Sequence, residues 1–182
     1  MIRLERGFFA VDALEVAPTL LNKVLVAGSC RGRIVEVEAY RQDDRASHAR
    51  NGPTPKCRTM FGPPGHLYVY FTYGMHHCAN IVTGAEHDGQ AVLIRSVLPL
   101  DGVDLMRRRR GGVPDRRLVD GPGKLCQAYD LDRRHDGLDL VTNDQVFVGD
   151  DGVPPPAAPL CTPRIGIRHG TDLLWRFVVG GR

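Results

Sequence analysis

Between Gly65 and Asn80 the chain reads GHLYVYFTYGMHHCAN, and this stretch leaves the backbone little choice. Strand-forming residues crowd both sides of a Tyr-Gly step, a pattern that specifies two antiparallel strands, Leu67–Thr72 and His76–Thr83, folded back on one another. The length of the turn decides which side chains meet. A loop made only of Tyr73 and Gly74 pairs Tyr70 with His77 and leaves Tyr70 and Asn80 on opposite faces. Adding Met75 to the loop pairs Tyr70 with Cys78 and Tyr68 with Asn80, which brings Tyr70 and Asn80 to one side.

Upstream, GRIVEVEAY (Gly32–Tyr40) alternates with period 2. Ile34, Glu36, Glu38 and Tyr40 are expected on one strand face, with Val35, Val37 and Ala39 behind, so a carboxylate and an aromatic share a surface. Further strands are expected at Lys23–Ala27 and Ala91–Val97. Asp12 with Glu15 resembles a capping-box helix start, and Pro18 is expected to kink or restart that helix before Leu20. Helices are also expected through Val103–Arg110 and after Gly121-Pro122, where proline suits a first helical position and the glycine-rich loop leaves backbone N–H groups free for a phosphate. Asp150–Pro163 reads as a proline-rich surface loop, and the tail beyond it should add back as strands. The expected architecture is α+β: a single compact domain over residues 1–182, with a curved, antiparallel-dominated β-sheet, short flanking helices and a protruding β-hairpin.

Bulk properties narrow the class of function. A chain of 182 residues with 42% hydrophobic and 25% charged residues has ordinary globular composition. A net charge of +3 excludes a polycation, so any nucleic-acid face must be local. Lys23, Lys56 and Lys124 are the only lysines; arginine supplies the other basic residues, through a preference for bidentate phosphate contacts or through genomic composition. The five cysteines contain no CxxC pair, so neither a disulfide framework nor a zinc finger is expected. No apolar run is long enough to span a membrane. A cytoplasmic, monomeric protein is expected, associated with the nucleoid if bacterial.

Three tyrosines on a hairpin suit stacking against bases, since an aromatic face binds a nucleobase at about 1–3 kcal/mol, and a bulky side chain at an exposed tip can wedge into a duplex. The two segments above, together with MFGPPG (Met60–Gly65), AVLIR (Ala91–Arg95) and GPGKLCQA (Gly121–Ala128), resemble the alkyladenine DNA glycosylase family, also called 3-methyladenine DNA glycosylases. Weaker likeness continues in LLNKVLV (Leu20–Val26), PRIGI (Pro163–Ile167) and LLWRFVV (Leu173–Val179).

The resemblance implies a set of roles. Tyr73 would fill the hole left by a flipped nucleotide. Tyr40, Tyr70 and His48 would sandwich the extruded base; the interval from Tyr40 to His48 is one residue shorter than in the family. Since the family puts Tyr70 and Asn80 in one pocket, the resemblance selects the odd-length hairpin loop or a bulge. Glu38 would take a proton from the attacking water and sit beside the oxocarbenium-like sugar, with Glu36 as a bland surface charge of the same parity. Arg95 should pair with a carboxylate or hold that water. Asn80 would exclude guanine by clashing with its 2-amino group, and Gly123 and Lys124 would meet DNA phosphates. The implied partner is double-stranded DNA carrying alkylated or deaminated purines, with no metal and no cofactor.

Three other readings compete. A lyase would need an amine nucleophile, for which Lys124 is the only lysine in a matched motif. A metal-dependent hydrolase could draw on Glu38, His48, His76, His77 and Cys78, although adjacent histidines on a strand point to opposite faces. A non-catalytic module could grip DNA or RNA in the minor groove through the hairpin and Arg107–Arg110, a run that is otherwise a solvated helix face.

Overall fold

Tyr73, Gly74 and Met75 form a three-residue loop in the computed structural model, which describes residues 1–180. Strands β4 (Leu67–Thr72) and β5 (His76–Val82), numbered by their place in the chain, pair Thr72 with His76, Tyr70 with Cys78 and Tyr68 with Asn80. The Met75 amide closes the turn on the Thr72 carbonyl at 3.2 Å. Both Tyr73 and Gly74 adopt left-handed backbone angles, with φ of 51° and 67°.

In chain order the remaining elements are β1 (Ile2–Arg3), α1 (Arg6–Phe9), α2 (Ala13–Leu20), β2 (Val24–Ala27), β3 (Cys30–Tyr40), β6 (Ala91–Asp101), α3 (Val103–Arg109), α4 (Pro122–Tyr129), β7 (Val146–Asp150), β8 (Leu160–Thr162) and β9 (Arg176–Val178). They build one antiparallel sheet in the order β1-β7-β2-β3-β6-β5-β4. β3 outreaches β2, and β9 takes the vacated edge beside Glu36–Glu38 with β8 outside it. The tail therefore returns as strands. The proline-rich loop is bounded more tightly than its composition predicts, because Asp150 ends β7 and Leu160–Thr162 is β8. β1, β7 and the single-turn helix α1 lie outside the predicted set; the apolar run of β7, VFV, is too short to read as a strand without its neighbour β2.

The sheet's two faces divide the labour. Leu67, Val69, Ala79, Ile81, Val92, Ile94, Val37 and Ala39 point into the main core, where Val16 and Leu20 of α2 and Leu125 and Ala128 of α4 cover them. Burying each large aliphatic side chain there contributes about 1.5–3 kcal/mol. The α2 helix is capped by Asp12, whose carboxylate accepts from the Leu14 amide, but Glu15 makes no reciprocal bond and Pro18 does not restart the helix. Proline removes only one intrahelical donor, and Leu20 and Leu21 are both fully buried, so packing holds the turn.

Ile34 departs from the expected parity. It packs in the same core as Val37 and Ala39, and the β3–β6 ladder shifts register on both sides of Glu36. The core residues of β6 switch parity at the same place, from Val92 and Ile94 to Val97. This irregularity lets both strands turn an apolar residue inward past a charged cluster. Among the described residues, no helix is long and apolar enough to cross a membrane.

Candidate active site

On the face opposite the core, one cross-strand row runs through four strands. Glu38 of β3 lies opposite Leu93 of β6, Leu93 opposite Asn80 of β5, and Asn80 opposite Tyr68 of β4. Directly opposed residues project to the same side of a sheet, so this row forms the floor of a cavity of about 540 Å³. Tyr40, His48, Tyr70 and Cys78 line it, Thr72, Tyr73 and Pro122 border it from the hairpin and α4, and Ile165–His169 border it from the loop between β8 and β9. Every residue expected in the base pocket is therefore gathered here, although Tyr40 and Tyr70 are thirty positions apart in the chain.

Glu38 is fully buried. Its Oε2 accepts from the Tyr40 hydroxyl at 2.8 Å and its Oε1 from the Ile165 amide at 2.8 Å, with Arg95 Nη1 3.3 Å away. Burying a lone carboxylate costs several kcal/mol, and these donors offset that cost. Burial, and then the Glu38 charge, raise the Tyr40 phenol well above the ordinary tyrosine value, so it remains a donor. Arg95 reaches both acids of β3, since its Nε also donates to Glu36 Oε1 at 2.7 Å. Burial works against the cation, but Glu38 and Glu36 outweigh it and raise the Arg95 pKa. Glu36 is thus no surface charge: β3 starts earlier than its alternation suggests, and β9 closes over Glu36 and supplies Arg176, whose Nε donates to the same oxygen at 2.7 Å.

His48 sits on a loop built from local turns. Asp44 accepts from the Ala46 amide, Ser47 from the Ala49 amide, and Ala49 plugs a small apolar cluster with Met60, Phe61 and Val82. These anchors deliver the imidazole edge-on to Tyr70, with ring centroids 4.6 Å apart, and its Nδ1 meets the Tyr68 hydroxyl at 2.9 Å. Burial lowers the His48 pKa and favours the neutral ring. The tyrosines themselves are tilted neighbours, Tyr68 and Tyr70 lying 5.5 Å apart. Asn80 is buried and turns its amide hydrogens to the carbonyls of Tyr68 at 3.1 Å and Cys78 at 3.5 Å, which leaves Oδ1 as its free polar atom.

Tyr73 is 79% exposed at the hairpin tip, beside Met75 at 69%. Gly123 belongs to the first turn of α4, whose N-terminus no side chain caps, and it packs so closely on His76 that a Cβ would stand 2.9 Å from the ring. Lys124 is half engaged: its Nζ holds Asp120 at 2.8 Å, outside the cavity. The arginine run is a solvated helix face at Arg107 and Arg108 and partly buried at Arg109 and Arg110. Arg107 is tied to Asp104 and Asp115, Arg109 donates to the Ala128 carbonyl, and Arg110 donates to the Leu118 carbonyl. Among the described residues, no three of His, Cys, Asp and Glu converge as metal ligands would.

The segment Arg164–His169 carries contacts that no local pattern signals. Arg164 is buried against Asp44 and donates to the Ala39 carbonyl, with its guanidinium 4.6 Å from the Tyr40 ring and 5.0 Å from that of Trp175. It thereby seats Tyr40 and brings the Ile165 amide to Glu38. The PRIGI likeness is the only trace of this segment in the sequence.

Comparison with known proteins shows the family. The family described as Methylpurine-DNA glycosylase (MPG) matches residues 7–182. A protein of Burkholderia lata is 53% identical over 98% of this chain and 88% of its own length; one of Carboxydothermus hydrogenoformans is 47% identical over 96% and 93%; one of Agrobacterium fabrum is 48% identical over 97% and 88%. Each carries the name "Putative 3-methyladenine DNA glycosylase". With a match across nearly the whole chain and relatives of this identity, the chain belongs to the methylpurine-DNA glycosylase family.

Proposed function

We propose that this protein is a monofunctional DNA glycosylase acting at the start of base excision repair. It swings alkylated or deaminated purines, of the 3-methyladenine, 7-methylguanine, hypoxanthine and ethenoadenine type, out of duplex DNA and hydrolyses the bond to C1′. The observation that carries this reading is Glu38: a carboxylate without exposure, held by donors on both oxygens, on the floor of a cavity walled by Tyr40, Tyr70 and His48.

Flipping a nucleotide costs a few kcal/mol, least for a damaged base. Tyr73, exposed on a tight turn at the cavity's border, takes the vacated place in the stack, and the aromatic walls return about 1–3 kcal/mol per stacked face. Glu38 then accepts a proton from water as the water oxygen bonds to C1′, while the electrons of the C1′–N bond leave with the purine. A cationic alkylated purine departs neutral without further help. Glu38 also stands as an anion beside the positive charge that develops on the sugar, and Arg95 steadies it. Glycoside hydrolysis commonly uses a second carboxyl to protonate the leaving group. Among the described residues lining the cavity Glu38 is the only carboxylate, which favours leaving groups already charged by damage.

Two observations support this reading over its rivals. Among the described residues no lysine lines the cavity, and Lys124 holds Asp120, so no amine is placed for a Schiff base. A pure binding module has no use for a buried, donor-laden carboxylate, and two of the four arginines in the run, Arg109 and Arg110, are folded onto carbonyls.

The test is a panel of duplexes, each bearing one modified purine, incubated with the protein and cleaved by alkali at abasic sites. Methylated purines should be released fastest, with no borohydride-trapped adduct. Glu38→Gln should lose release by about 10²–10⁴-fold and still bind the damaged duplex. A methylated duplex left intact by the wild-type protein would refute the proposal.

A further inference from the structure

Glu36, the first acid of the GRIVEVEAY strand, sits in a charged cluster with Arg95 and Arg176. Its side chain is 15% exposed, that of Arg95 11% and that of Glu38 fully buried. Arg95 presents two edges. The Nε edge donates to Glu36 at 2.7 Å, whereas Nη1 stands at the longer distance of 3.3 Å from Glu38. The shorter contact is therefore with the acid that does not line the cavity. A guanidinium is planar and rigid, so fixing its Nε edge fixes where both Nη groups point.

The register irregularity around Glu36 makes this arrangement possible. In a regular ladder the core face would keep one parity along β3; here Ile34 turns into the core and Glu36 pairs with Ser96, the residue after Arg95. Arg95 is left free to span from Glu36 to Glu38.

We infer that Glu36 is a positioning residue for the reaction: it holds the Nε edge of Arg95 and takes up part of the guanidinium charge, so that Arg95 is kept from bearing wholly on Glu38 and Glu38 stays free to accept the proton of water. This rests on the reading of Glu38 as the base. Without Glu36, the whole Arg95 charge would act on Glu38 and make it a poorer base. The remaining charged or titratable groups around the pair keep their places: Arg176 from β9 against Glu36, Tyr40 from β3 and Cys78 from β5 near Glu38, and Arg164 behind the Tyr40 ring.

The experiment is the pH dependence of single-turnover purine release from a 7-methylguanine duplex. In Glu36→Gln the acid limb should move down by about one pH unit and the plateau should fall about tenfold, with duplex affinity unchanged. In Arg176→Gln, which removes a cation while sparing the Glu36–Arg95 contact, the acid limb should move up. A purely structural role for Glu36 would lower the yield of active protein and leave the limb where it was. If the wild type releases purine and the Glu36→Gln variant retains both limb and plateau, the inference is overturned while the reading of Glu38 stands. If the wild type releases none, both fall. Should Glu36→Gln fail to fold, Arg176→Gln decides alone, and an unmoved or lowered limb overturns the inference.

Discussion

Glu38 and Asn80 face each other across a single residue: both lie directly opposite Leu93, Glu38 on one side of β6 and Asn80 on the other. The candidate base catalyst and the candidate purine gate are thus separated by two strand spacings, about 10 Å, on one rigid row. A purine seated over Leu93 would meet both, so selection of the base and attack on its sugar would be tied to the same register.

Asn80→Ser should widen purine selection. The shortened side chain loses its bonds to the carbonyls of Tyr68 and Cys78 and withdraws from the cavity. Release of unmodified guanine should rise about tenfold relative to release of 7-methylguanine, measured with matched duplexes; an unchanged ratio would remove Asn80 from the specificity argument.

Tyr40→Phe keeps the stacking ring and deletes the hydroxyl that donates to Glu38 Oε2. A lost hydrogen bond to a charged group is worth about 1.5–3 kcal/mol, so the rate of purine release should drop by about tenfold or more while duplex affinity stays within about twofold. Equal losses in rate and affinity would instead mean that the ring has moved.

Tyr73→Gly should separate stability from function. Tyrosine at φ 51° is strained, whereas glycine accepts that conformation, and the side chain is largely exposed. The melting temperature should not fall, yet extrusion of the nucleotide, followed by the fluorescence of a 2-aminopurine beside the lesion, should be lost.

Asp44→Asn strands a buried cation. Arg164 and Asp44 have side-chain exposures of 0% and 1%, and the Nε of Arg164 already lacks a partner. Breaking such a pair costs about 3–5 kcal/mol, which urea denaturation should register as a lower midpoint. Because Arg164 also seats Tyr40, the residual folded protein should bind damaged duplex less tightly.

His48 should make the protein less stable in mild acid. Burial, followed by the charge of Lys56, lowers its folded pKa below the usual 6.5. The unfolded chain therefore takes up the proton first as pH falls. The stability contributed by a neutral His48 is complete above about pH 6.5 and is lost progressively below it, toward the folded pKa. An imidazole NMR titration should place the His48 midpoint below 6.5, and His48→Phe should flatten this part of the stability profile.

Much of this arrangement was legible in linear order because strand geometry has period 2. Once two tyrosines and an asparagine flank a Tyr-Gly step, only the parity of the loop remains open, and the resemblance to known glycosylases chose the parity that the Thr72–His76 pairing displays. The alternation of GRIVEVEAY likewise set Glu38 and Tyr40 on one face, because two residues along a strand bring side chains to the same side. The Pro122 helix start and the returning tail were readable for the same local reasons.

Other features needed the whole fold. The fate of Glu36 depended on β9, a strand 140 residues away that covers it and delivers Arg176. Ile34 turned inward because β3 and β6 shift register together, a property of the pair and not of either strand. Arg164 finds Asp44 across 120 residues, and no local periodicity encodes that meeting. Local propensity and alternation decide which face a side chain takes, since they act over neighbouring residues of one strand. Which charge meets which, and how deeply, belongs to tertiary structure, because burial and ion pairing are settled between segments only when the sheet closes.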